Sequence, residues 1–162
     1  MFAYASEAFG SVMIETVLRR QTLATKLKSA VADMPTRVPD AVARVRRALK
    51  AGGIGAAGPP YARYLQYDEK EGVFRLEVGI PLWAAVVLAY GDVFPSALPG
   101  GRVLRVDHEG PHTRLSASFA KLDALMDAEG LMPMGPAWES YVIGPETEPD
   151  RSRWKTAIYQ PV

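Results

Sequence analysis

Glu139 stands in Trp138-Glu139-Ser140-Tyr141, an acid set among aromatic side chains, with Trp154 and Tyr159 a short way downstream. A carboxylate flanked by Trp138, Tyr141, Trp154 and Tyr159, with Tyr64 and Trp83 as further candidates, is suited to bind a delocalised cation by charge and by ring faces. In a hydrolytic role the same carboxylate is a general base and Tyr141 its helper. The competing reading makes Glu139 a structural carboxylate, bonded to a tyrosine or paired with an arginine, and the rings ordinary core.

The elements around Glu139 occur twice. Gly53-Ile-Gly-Ala-Ala-Gly-Pro-Pro-Tyr-Ala-Arg-Tyr64 and Gly130-Leu-Met-Pro-Met-Gly-Pro-Ala-Trp-Glu-Ser-Tyr141 align at an offset of 77 residues (53 to 130), as G-[IL]-x3-GP-x-[YW]-x2-Y. The same offset pairs Val42, Val45 and Leu49 with Phe119, Leu122 and Met126, which have helical spacing. Phe74 to Pro81 sits like Trp154 to Pro161 at an offset of 80 (81 to 161). Glu139 aligns with Ala62, so the acid breaks the symmetry of the repeat.

Within each copy the pattern is strand, helix, strand, strand. Extended segments are expected at 12–19 and 22–31, and a helix from Pro39 or Asp40 to Gly52-Gly53, because proline suits a first turn and glycine a left-handed cap. Strands follow at 61–67 and 73–80 across the polar hairpin Asp68 to Gly72. Residues 81–99 have no clean period. The second copy opens with a strand at 102–108, a helix at 113–129 with the apolar stripe Leu115, Phe119, Leu122, Leu125 and Met126, and strands at 138–143 and 154–160. The expected fold is α+β: duplicated β-α-β-β units about a pseudo-two-fold, an antiparallel sheet with both helices on one face, and a ligand cleft between the halves, open on the other face. Alternation puts Trp138, Ser140 and Val142 on one side of their strand and Glu139 and Tyr141 on the other, taken as the cleft side.

The 162 residues suffice for one domain at 12–162, with halves at about 12–82 and 99–162 and an extension at 1–11 carrying Phe2, Tyr4 and Phe9. Nineteen basic and eighteen acidic residues leave no electrostatic footprint for nucleic acid. The basic run Arg44, Arg46, Arg47 and Lys50 falls on the polar side of a helix. Cysteine is absent, which removes disulfides, thiolate nucleophiles and sulfur metal sites and is compatible with a reducing cytoplasm. The first residues do not read as a signal peptide, and Ile80 to Tyr90 is far short of a bilayer span of roughly 20 residues. A cytoplasmic protein is expected.

Other constellations carry less. His108 and His112, with Asp107 and Glu109, have ligand-like spacing but flank a Gly-Pro turn, and no metal or other cofactor is expected. No glycine-rich phosphate loop opens a helix, and Ser116 and Ser118 have no evident base. Glu77 is a second strand carboxylate that could share the cleft, with an exposed strand position as the favoured reading.

Gly58-Pro-Pro-Tyr-Ala-Arg-Tyr64, Leu98-Pro-Gly-Gly101, His108-Glu-Gly-Pro-His112, Gly135-Pro-Ala-Trp-Glu-Ser-Tyr141 and Trp154 to Pro161 together resemble the GyrI-like family, the effector-binding domains found alone or fused to MerR-type and AraC-type transcription regulators. The resemblance covers about 12–162. It implies a pocket for hydrophobic, often cationic aromatic molecules with Glu139 at its base. The ligand-binding set expected from it and from the aromatic pattern is Glu139, Tyr141, Trp138 and Tyr64, joined by Trp83, His112, Phe119, Trp154 and Tyr159. His112 departs from the family, which often has an aromatic residue after Gly-Pro. Three roles follow. The first is a stand-alone module that sequesters an aromatic cation or senses it for a regulator. The second is a hydrolase of cyclopropane-bearing genotoxins, in which Glu139 and Tyr141 are catalytic. The third is an interaction protein acting on DNA gyrase, like the family's namesake.

Overall fold

The computed structural model describes residues 12–87 and 90–162; the extension at 1–11 lies outside the described residues. In chain order the elements are β1 Val12–Val17, β2 Arg20–Ser29, α1 Met34–Gly52, β3 Tyr61–Asp68, β4 Val73–Pro81, β5 Val93–Leu98, β6 Gly101–Glu109, α2 Leu115–Glu129, β7 Trp138–Ile143 and β8 Lys155–Pro161. They form two compact units. One comprises β1 and residues 101–162, with antiparallel strands in the order β1-β6-β8-β7 and α2. The other comprises residues 18–100, with antiparallel strands in the order β5-β2-β4-β3 and α1. No helix among the described residues is long and apolar enough to cross a membrane.

The duplication extends to single hydrogen bonds. Both helices end on a left-handed glycine, Gly53 and Gly130, each at φ 64°. Past each glycine the next amide reaches back to close the last turn, Ile54 N–H to the Leu49 carbonyl and Leu131 N–H to the Met126 carbonyl, both at 2.9 Å. Each helix is entered through a short 3₁₀ turn, Val31–Asp33 and His112–Arg114. Those turns are 81 residues apart, whereas the caps are 77 apart, so α1 has 19 residues to the 15 of α2. Four residues are close to one turn of about 3.6. The buried stripe Val42, Val45 and Leu49 therefore keeps its phase with Phe119, Leu122 and Met126. This extra turn also corrects the expected start of α1 at Pro39 or Asp40: the helix begins at Met34 and Pro39 lies inside it. The backbone bond that Pro39 cannot make would have gone to the carbonyl of exposed Pro35, which water can reach.

Strand registers repeat as well. Tyr61 faces Gly79 and Ala62 faces Val78, as Trp138 faces Tyr159 and Glu139 faces Ile158. A bulge interrupts β3 between Tyr64 and Gln66 and β7 between Tyr141 and Ile143, the same place in each copy. On the far side Val93 of β5 pairs with Thr25, and Val12 of β1 pairs with Val106. These pairs are again 81 residues apart, so β1 and β5 are equivalent and the repeat contains one strand more than its sequence pattern shows. Each of these strands pairs with the opposite copy: β1 with β6, β5 with β2. The compact units accordingly cut across the sequence halves. Residues 93–98 escaped sequence reading because Pro95 interrupts the run, and proline is tolerated on such an edge strand.

Cross-strand partners share a face, which locates both cores. Leu23, Leu27, Leu76, Val78 and Ile80 lie under the apolar stripe of α1, and Val12, Leu104, Val106 and Ile158 pack with Leu115, Leu122 and Met126 of α2. On the reverse face of the α1 unit the Tyr61 ring crosses Gly79. A Cβ on Gly79 would meet the Tyr61 hydroxyl oxygen at 2.7 Å and the Leu23 carbonyl at 2.8 Å. The equivalent residue in the other unit is Tyr159, and there Trp138 stacks on the ring, with centroids 5.2 Å apart. Gly79→Ala should therefore destabilise the protein by about 1–3 kcal/mol, the range for overpacking a filled site. Chemical denaturation measures it, and a loss below about 0.5 kcal/mol would contradict the packing described.

Candidate functional site

Two rows of side chains cross the sheet of the α2 unit on one face: Val106, Ile158 and Glu139, then His108, Thr156 and Tyr141. Ile158 belongs to the core under α2. Glu139 is thus on the helix-bearing face, not on an open reverse face as alternation combined with the expected cleft had suggested. It is 3% exposed. Tyr141 does point the same way, and its hydroxyl donates to Glu139 Oε2 at 2.7 Å. That bond fixes the carboxylate on its strand.

The adjoining aromatic wall comes from the turn that feeds α2. Gly110, at φ 107°, takes a backbone conformation other residues rarely adopt, and its N–H donates to the Trp154 carbonyl at 2.9 Å. Two residues later the His112 ring packs on Trp154 at 4.6 Å and on Tyr141 at 5.1 Å between centroids. Trp154 is anchored by its indole N–H, which donates to the Glu148 carbonyl at 2.7 Å. Burial first, and the nearby His108 second, push the His112 pKa down to about 4. His112 is therefore a neutral ring at neutral pH, taking the place of the aromatic residue expected there.

The structure gathers Glu139, Tyr141, His112 and Trp154, and sets Trp138 and Tyr159 on the other face of the same sheet. Trp138 and Tyr159 stack on the reverse face, where the Arg105 guanidinium lies 5.5 Å from the Tyr159 ring centroid, held by Asp107. Phe119 is partly buried against the α2 core. Tyr64 is in the α1 unit, edge-on to Phe74. Trp83 is 82% exposed in the segment after β4 and builds no wall.

Sequence reading missed Thr156, weighed His108 only for its ligand-like spacing, and found no base for Ser118, whereas the structure sets the His108 ring against the Ser118 hydroxyl. The Ser118 hydroxyl donates to His108 Nδ1 at 2.8 Å and His108 Nε2–H donates to the Pro111 carbonyl at 3.2 Å, which uses both ring nitrogens and pins the turn carrying His112. Thr156, the polar residue in the otherwise apolar alternation with Ile158, was the available signal.

Glu77, expected to be exposed, is 6% exposed. Its oxygens accept from the Tyr61 hydroxyl at 2.8 Å and the Ser96 hydroxyl at 3.0 Å, and Tyr61 is in turn bonded to Thr22. Burial, then the Glu77 charge, push the Tyr61 pKa well up, so the phenol keeps its proton and remains a donor. Glu77 pairs in register with Lys26 and Arg63, on the face opposite α1. It ties β5 to β4 and β3 and is remote in kind from the Glu139 arrangement.

The family description "GyrI-like small molecule binding domain" matches residues 23–162. The chain belongs to that family. No curated protein matches it in sequence. Among solved structures it is similar to EcmrR in a DNA complex, at TM-score 0.83 and 17% identity over 93% of this chain, which spans 56% of the EcmrR chain. The EcmrR C-terminal domain alone matches at TM-score 0.79 and 15% identity, over 96% of this chain and 98% of that one. SAV2435 bound to tetraphenylphosphonium matches at TM-score 0.61 and 9% identity, over 93% of both chains. At these identities the likeness is one of fold.

The depressed pKa of His112 has a consequence for stability. The unfolded chain protonates this histidine near 6.5, and the fold holds it neutral to about pH 4. Between those values the unfolded state binds more protons, so the stabilisation present above pH 6.5 is lost as pH falls through the window. His112→Phe should flatten that decline. Melting temperatures of the native protein and the variant between pH 7 and pH 4 measure it, and parallel profiles would contradict the burial of a neutral ring.

Proposed function

We propose that this GyrI-like chain binds hydrophobic aromatic cations on the helix-bearing face of the unit formed by 12–17 and 101–162, with the Glu139 carboxylate as the charge partner. The observation that carries the reading is a comparison within the molecule. Ala62 occupies the equivalent register position, opposite Val78, in a strand with the same bulge. The strand geometry does not need a carboxylate there, and burying one is costly unless something compensates. A bound cation compensates charge with charge. Tyr141 orients the carboxylate, and the faces of His112 and Trp154 offer flat surfaces for the ligand's rings. A protein of this fold in complex with tetraphenylphosphonium is consistent with the ligand class. Sequestration of such a compound, or sensing it for a regulatory partner, are the roles this binding would serve.

Glu139→Gln keeps volume and one acceptor and removes the charge. Charge-assisted contacts are worth roughly 1.5–3 kcal/mol, so a cationic dye should bind on the order of tenfold or more weakly to the variant, while a neutral dye of matched shape loses little. Fluorescence titration with both dyes measures the split. Equal weakening of both, or a large fall in melting temperature, would make Glu139 a structural residue and sink the proposal. Conversion of a cyclopropane-bearing electrophile to a product would move the assignment to hydrolysis, with Glu139 as general base.

A further inference from the structure

Two side-chain polar atoms at this site are buried without a hydrogen-bond partner, His112 Nε2 and Thr156 Oγ1. Both adjoin Tyr141: Thr156 is its cross-strand neighbour, and the His112 ring packs on it at 5.1 Å. Buried polar atoms in folded proteins are nearly always bonded, and each exception calls for a cause. The neighbouring polar groups have hydrogen bonds of their own. His108, the partner of Thr156 on its other side, has both nitrogens committed to Ser118 and Pro111. The Tyr141 hydroxyl gives its proton to Glu139. An aromatic residue at 112 or valine at 156 would fill the same space with no polar atom to satisfy, so the unmet capacity is a property of these two residues.

Resting on the reading above that the face binds aromatic cations, we infer that His112 and Thr156 make it selective for cations that carry a hydroxyl or N–H group on the ring system, over fully substituted cations of the same charge and shape. The chemistry is complementary. A ligand hydroxyl both donates and accepts, so it can pair with a neutral imidazole nitrogen or with a threonine hydroxyl. Glu139 then selects for charge, and the pair selects for a polar substituent. Specificity of this kind comes from the cost of leaving the site's own groups unpaired when the substituent is missing.

Tetraphenylphosphonium and (4-hydroxyphenyl)triphenylphosphonium are the probes, equal in charge and nearly equal in shape. Calorimetric titration of the native protein should give a dissociation constant about tenfold lower for the hydroxylated probe. The ratio of the two constants should fall towards one in Thr156→Val and in His112→Phe, and Thr156→Ser, which retains the hydroxyl, should keep it. A ratio near one in the native protein, the result if resident water satisfies both atoms, overturns the inference and leaves the aromatic-cation reading standing. A native preference that neither Thr156→Val nor His112→Phe reduces also overturns it, by placing the hydroxyl elsewhere. If neither probe binds, the aromatic-cation reading fails and this inference with it.

Discussion

The register of β7 against β8 decides what the site can be. Glu139 faces Ile158 and Tyr141 faces Thr156, so both polar side chains fall on the face covered by α2. A slip of one residue would exchange the faces, turning Trp138 into the core and Glu139 outward. The slip is opposed from both sides: Ile158 is fully buried with Leu104 and Val106 on one face, and Trp138 stacks on Tyr159 on the other. The bulge after Tyr141 then bends the strand beyond the last residue of the proposed site. Packing on two faces thus holds a carboxylate where a strand would ordinarily place an apolar residue.

The repeat supplies its own control. Equivalent frames carry Ala62 and Glu139 at one position and, at another, Glu77 and Ala157, so each copy has one buried acid on a different strand and a different face. Glu77 is enclosed by the hydroxyls of Tyr61 and Ser96, with Thr22 behind Tyr61, a network that stitches an edge strand into its sheet. The Glu139 neighbourhood differs, because it contains the unpartnered atoms of His112 and Thr156 and a wall of rings. One acid is held for the fold. The other accepts from Tyr141 on the face covered by α2, where the equivalent position of the first copy carries Ala62.

Much of this was legible before any coordinates. The 77-residue offset carries the helix phase, the glycine caps and the bulged strand, because each depends on local spacing that duplication copies intact. Alternation alone also separated Trp138 from Glu139 and Tyr141, so grouping Trp138 with the acid set proximity in sequence above strand geometry. β5 was hidden because a proline-containing run takes its identity from its partner β2, and no local period reports that pairing. The start of α1 was hidden because Pro39 looks like a first-turn residue, although its role depends on an extra solvent-facing turn before it. Thr156 and His108 gained meaning only with the register that sets them beside Tyr141, a relation between strands about fifty residues apart.

A crystal structure of the complex with tetraphenylphosphonium tests the central claim most directly, since it locates the charge. The account predicts the phosphonium on the helix-bearing face of the α2 unit, with Glu139 as its nearest carboxylate and a phenyl ring against Tyr141, His112 or Trp154. A phosphonium seated on the Trp138–Tyr159 stack of the reverse face, with Glu139 directed away from it, would contradict the account.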